Sequence, residues 1–140
     1  MGKINMGRVI LGGLLAGLVI NIGEFLLNGV ILAKELEDVM ASLNKPAIGG
    51  SAIAVFVVIA FLLGITMIWL YAAIRPRFGA GAKTAVCAGL IVWTLSYLYP
   101  TIGQSQMGIF PNRLLVIGTV WGLVELSIAA VAGAWLYKES

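Results

Sequence analysis

A chain of 140 residues with 61% hydrophobic residues, 11% charged residues and a mean hydropathy of +1.04 lies outside the composition of water-soluble domains. At about 20 residues per bilayer-spanning helix, four spans take up roughly 80 to 100 residues and leave only short connections, which excludes a separate catalytic domain. Nine Lys and Arg against six Asp and Glu give a net charge of +3, but the basic residues are scattered and form no face for nucleic acid, so the expected partner is the lipid bilayer.

The chain contains no histidine. Haem ligation by histidine, histidine-based zinc sites, Ser-His-Asp triads and imidazole proton shuttles are therefore excluded. Cys87, the single cysteine, sits in an apolar run with Ala85, Val86 and Ala88 and reads as a packing residue. With no recognisable nucleophile constellation either, the sequence gives no catalytic residue, cofactor or metal site, and the protein is not expected to be an enzyme.

In chain order, the first span covers about residues 8–32. It follows Lys3 and Arg8, but the apolar run is too long for a signal peptide and holds no A-x-A-like cleavage site, so a retained span is expected. Leu36, Val39, Met40 and Leu43 then repeat at i, i+3, i+4 and i+7 opposite Glu35, Glu37 and Asp38, which predicts a short amphipathic helix over 34–43, lying at the interface or prolonging the first span. Asn44 and Pro46 mark a break and the start of the next helix. The second span covers about 48–74, with Trp69 and Tyr71 near its end and Pro76 as its stop. Arg75, Arg77, Gly79, Gly81 and Lys83 form a basic turn. The third span, about 84–99, is short and closes at Pro100, with Tyr97 and Tyr99 suited to an interfacial belt. A polar loop with Gln104, Ser105 and Gln106 precedes the fourth span, about 113–137, which ends on Trp135 and Tyr137 as aromatic anchors. The expectation is a single all-α, multi-pass domain of four transmembrane helices.

Orientation follows from the basic residues. Lys3, Arg8, Arg75, Arg77, Lys83 and Lys138 fall on the side of the termini, and Lys34, Lys45 and Arg113 on the other. The positive-inside rule places both termini in the cytoplasm. In a bacterial inner membrane the amphipathic helix would then be periplasmic.

Chemistry concentrates on two spans. At 100° per residue, Gly13, Gly17, Asn21, Glu24 and Asn28 fall within one arc of about 80°, so this face is expected to avoid lipid. In the fourth span Gly118, Gly122, Glu125, Ala129 and Gly133 share a narrow face around a carboxylate near mid-helix. Both spans present G-x-x-x-G backbones that permit close approach, and Gly13, Gly17, Gly118 and Gly122 are the expected packing contacts of a first-to-fourth helix pair. No Lys or Arg lies inside a span to neutralise Glu24 and Glu125, so two carboxyls in a shared low-dielectric seam require a proton or a cation. Asn21 and Asn28 would add amide ligands or hydrogen bonds.

Residues 113–135, through Gly122 and Glu125 to Trp135, resemble the last span of small bacterial four-span membrane proteins of unassigned function. The resemblance covers about a sixth of the chain and implies no site residues. Two functions fit the pattern. One is proton- or cation-coupled transport or permeation of a small solute through Glu24, Glu125, Asn21 and Asn28, in an oligomer because four short helices enclose little volume. The other is an accessory or assembly subunit of a larger membrane complex. There, a protonated Glu bonded to an Asn would only hold helices together, at about 0.6 to 2 kcal/mol per contact.

Overall fold

The computed structural model describes residues 3–139. Among them there is no strand, and four helical stretches are long and apolar enough to cross a membrane: Met6–Ile31, Gly50–Phe78, Ala82–Met107 and Asn112–Leu136. Large apolar side chains point outward along all four, among them Phe25 (66% exposed), Leu62, Leu95 and Val116. A hydrophobic exterior of this extent is what lipid solvates and water does not. The protein is a multi-pass, all-helical membrane protein by this criterion.

Helix α1 (Met6–Leu26) starts on Asn5, whose Oδ1 accepts from the Arg8 amide at 3.1 Å. It runs into a π-helical turn, Leu27–Ile31, and the chain then forms α2 (Ala33–Ser42). The apolar face of α2 does not lie free. Val39 is buried with Leu27, Leu32 and Leu114, and Leu36 packs against them. Arg113 pairs with Glu35 across the same junction, so α2 is pinned to the end of the bundle.

Helix α3 (Gly50–Phe78) begins four residues after Pro46, which is not in its first turn. Pro76 does not stop it either. A proline in the last turn disrupts little of the hydrogen-bond ladder, and the helix ends at Gly79, whose φ of +92° suits glycine.

The largest departure from the sequence reading is the third span. Helix α4 (Ala82–Trp93) passes through a π-helical turn, Thr94–Leu98, into α5 (Tyr99–Met107), so residues 101–107, expected as loop, are helical. The physical reason lies in the turn. The Tyr99 amide bonds back five residues to the Thr94 carbonyl, and this widening lets Pro100, which needs no donor, enter as the second residue of α5. Gly108, left-handed at φ +67°, ends α5, and α6 (Asn112–Leu136) follows.

Glycine contacts set the helix order around α1. A Cβ on Gly64 of α3 would lie 2.5 Å from the Gly13 carbonyl oxygen and 2.5 Å from the Gly17 amide. Gly12 and Gly133 oppose each other across α1 and α6, where a Cβ on either would come within 2.6 Å of the other's carbonyl oxygen. Hence Gly13 and Gly17 face α3, not α6 as expected from the sequence. Gly118 has no atom within 4 Å of its missing Cβ and packs no helix. The core between these seams holds Val9, Ile20, Met67, Ile68 and Leu126.

At the end carrying the termini, Tyr137 is 4% exposed rather than an interfacial anchor. Its hydroxyl accepts from the Asn5 amide at 3.1 Å, its ring meets that of Tyr71 edge-on at 6.0 Å, and the Arg75 guanidinium lies 5.4 Å from its centre. Arg75 also bonds Glu139 at 3.0 Å. These contacts tie Asn5, Tyr137 and Glu139 to the last turns of α3, where Arg75 and Arg77 are helical and not part of a turn as expected from the sequence.

Candidate functional site

Glu24 lies in the last turn of α1 and Glu125 in the middle of α6. Glu125 is 5% exposed, and it fits because Gly23 faces it: a Cβ at Gly23 would collide with the Glu125 carboxylate. The two carboxyls meet through a third residue. The Tyr97 hydroxyl, in the π-helical turn of the third span, lies 2.6 Å from Glu24 Oε1 and 3.1 Å from Glu125 Oε1. Its ring occupies the space left by Gly122, where a Cβ would come within 2.5 Å of Tyr97 Cδ2 and Cε2.

The outer oxygens have donors as well. Asn28 Nδ2 donates to Glu24 Oε2 at 2.8 Å, and Trp121 Nε1 donates to Glu125 Oε2 at 3.1 Å and to the Gly23 carbonyl at 3.0 Å. All four carboxyl oxygens thus have a hydrogen-bonding neighbour. A phenol carries one proton. If Tyr97 gives it to Glu24 along the shorter contact, its oxygen must accept at Glu125, which requires a proton on Glu125. One proton on the pair, with Glu24 ionised between two donors, satisfies every group in the cluster.

Two spaces flank the cluster. A polar recess of about 170 Å³, on the side of the bundle that carries α2, is lined by Glu24, Asn28, Tyr97, Thr101, Gln104 and Thr119 among others, room for several waters with partners on its walls. Gly118 lines it too, so the missing side chain there opens the recess. On the lipid-facing side, between α1 and α6, runs an apolar groove of about 710 Å³ whose wall includes Glu125 and Trp121.

Of the four residues that the sequence singles out for chemistry, Glu24, Asn28 and Glu125 come together. Asn21 does not join them; its amide points to α3 and lies 3.4 Å from the Val57 carbonyl oxygen. The sequence alone suggests a belt role for Tyr97, and both Tyr97 and Trp121 bond the carboxyls instead. Trp93 Nε1 donates to the Thr119 carbonyl at 2.8 Å. No sequence signal marks Tyr97: Gly122 leaves room for its ring, but Gly118 on the same face has nothing opposite it. No trio of His, Cys, Asp or Glu able to hold a metal ion occurs among the described residues.

No protein family, curated protein or solved structure matches the chain, so its function has to be read from the geometry.

Proposed function

We propose that the Glu24, Tyr97 and Glu125 cluster is the proton-binding site of a small membrane transport protein, in which proton exchange is coupled to movement of a solute. The observation that carries this reading is the single hydroxyl bonded to two carboxyls, one of them 5% exposed, with no basic side chain among their hydrogen-bond partners in the described residues. A proton suits the cluster better than a metal ion, because every carboxyl oxygen already has a hydrogen-bonding neighbour and few lone pairs remain for coordination. Tyr97 then links Glu125 to Glu24, and Glu24 borders the polar recess where water can accept the proton.

The six-to-three excess of basic residues supports an orientation with both termini in the cytoplasm of a bacterial inner membrane. On that orientation α2 and the recess face the periplasm, and protons enter or leave from there.

The test is proton release by the purified protein in detergent after an alkaline jump, read with a pH dye in weakly buffered solution. Wild type is expected to release a proton that Glu125→Gln does not. Proteoliposomes with an imposed pH gradient and a panel of small solutes then test coupling, with solute-dependent proton flux expected to vanish in Glu24→Gln and Glu125→Gln. Release and flux unchanged in both variants would overturn the reading.

A further inference from the structure

The carboxyl cluster borders two different environments. Glu24 lines the polar recess, whereas Glu125, bonded to the same hydroxyl, lines the apolar groove between α1 and α6. That groove is built from Val19, Ile22, Val120, Val124 and similar residues, and Glu125 is the one ionisable group among the described residues of its wall. A groove made only for an acyl chain needs no carboxyl. Trp121 lines the same groove, its indole held in place by Nε1–H bonds to the Gly23 carbonyl and Glu125. An apolar cleft with one acidic group and an indole in its wall has the features that bind a bulky organic cation: apolar and aromatic surface for its body and opposite charge for its centre.

Resting on the proton-site reading above, we propose that the groove between α1 and α6 binds lipophilic organic cations that enter from the bilayer and exchange for the proton held at Glu125. Charge balances in this exchange. One cation enters, and one proton leaves by way of Tyr97 to Glu24 and the recess. A quaternary cation has no hydrogen to donate, so it neutralises Glu125 without displacing Trp121 from its bond. The groups facing Glu125 that titrate are Glu24 and Tyr97, and both belong to the exit path.

Tetraphenylphosphonium is the probe, because its charge does not change with pH. Binding is measured with an ion-selective electrode on the purified protein in detergent, and proton release with a pH dye in the same sample. Wild type is expected to release about one proton per cation bound, and to bind more weakly, by up to about tenfold, when the solution is one pH unit more acidic. Val120→Trp, which fills the groove away from the carboxyls, is expected to weaken binding about tenfold or more while sparing proton release on an alkaline jump; Val124→Phe repeats the test should the first variant fold poorly. Glu125→Gln is expected to abolish cation-linked proton release. Absence of saturable binding, binding indifferent to both groove variants, or binding without proton release would each overturn the proposal. So would native mass spectrometry showing the groove held by a retained phospholipid or covered in a dimer by a second copy. In all these cases an intact alkaline-jump release leaves the proton site standing, and loss of that release in wild type removes the proton site itself.

Discussion

Replacing Tyr97 with Phe keeps the ring that fills the space at Gly122 and removes only the oxygen shared by the two carboxyls. With that oxygen go the 2.6 Å bond to Glu24 and the 3.1 Å bond to Glu125. Hydrogen bonds to charged groups contribute about 1.5 to 3 kcal/mol, whereas interhelical bonds in membrane proteins average about 0.6 with a maximum near 1.7 kcal/mol. The Glu24 bond is short and charge-assisted, so its coupling energy should lie near the upper membrane value, about 1.5 kcal/mol, or tenfold in an equilibrium constant. The assay is a double-mutant cycle of Tyr97→Phe and Glu24→Gln, with reversible unfolding in mixed micelles followed by far-ultraviolet circular dichroism. Coupling of about 1 to 2 kcal/mol is expected. Additivity to within about 0.3 kcal/mol would mean that the hydroxyl does not bridge α1 to the third span, and the proton path would lose its middle member.

Gly122→Ala should cost about 1 to 3 kcal/mol, because the added methyl meets the Tyr97 ring. Gly118→Ala enters open space and should be neutral or raise the melting temperature slightly; equal effects of the two in thermal melts would contradict the assigned contacts. In a Cys87→Ser background, Gly118→Cys and Thr101→Cys should react with a membrane-impermeant maleimide, whereas Leu62→Cys, exposed on the lipid face, should not. Protection of both recess positions would show that water does not reach Glu24. Glu139→Gln should lower stability by less than about 1 kcal/mol, and by still less at high salt, since its bond to Arg75 is partly solvated; a loss of several kcal/mol would assign the contact at the chain ends a larger part in folding.

Much of the architecture is legible in the sequence because it follows from hydropathy. Long apolar runs must become helices in lipid, and the spacing of Leu36, Val39 and Met40 is sufficient for α2. The third span resists for a local reason. Pro100 is a stop signal on any rule of intact α-helices, and nothing in the residues 94–98 announces the π-helical turn that accommodates it. The site is legible in its charged members, since a carboxylate on a bundle helix must find shelter. Helix partners are not, because a helical wheel gives a direction and not the neighbour lying in it. On α1, Gly13 and Gly17 turn to α3, while Gly12 and Gly23, which lie outside the arc read from the sequence, turn to α6. Within that arc Asn21 also turns to α3, whereas Glu24 bonds Tyr97 of the third span, so an arc read as one face serves two neighbours. Tyr97 stays hidden because an aromatic residue near a helix end suits the membrane interface equally well.

The proton-site reading stands on one proton residing on the carboxyl pair, at Glu125, and exchanging with water through Tyr97 and Glu24. Infrared spectroscopy of the protein in lipid nanodiscs at neutral pH reads this from the carbonyl stretch of a protonated carboxyl. One such band is expected, shifting in heavy water, persisting in Glu24→Gln and lost in Glu125→Gln. Two ionised carboxylates in wild type, or a protonated band unaffected by Glu125→Gln, would contradict it.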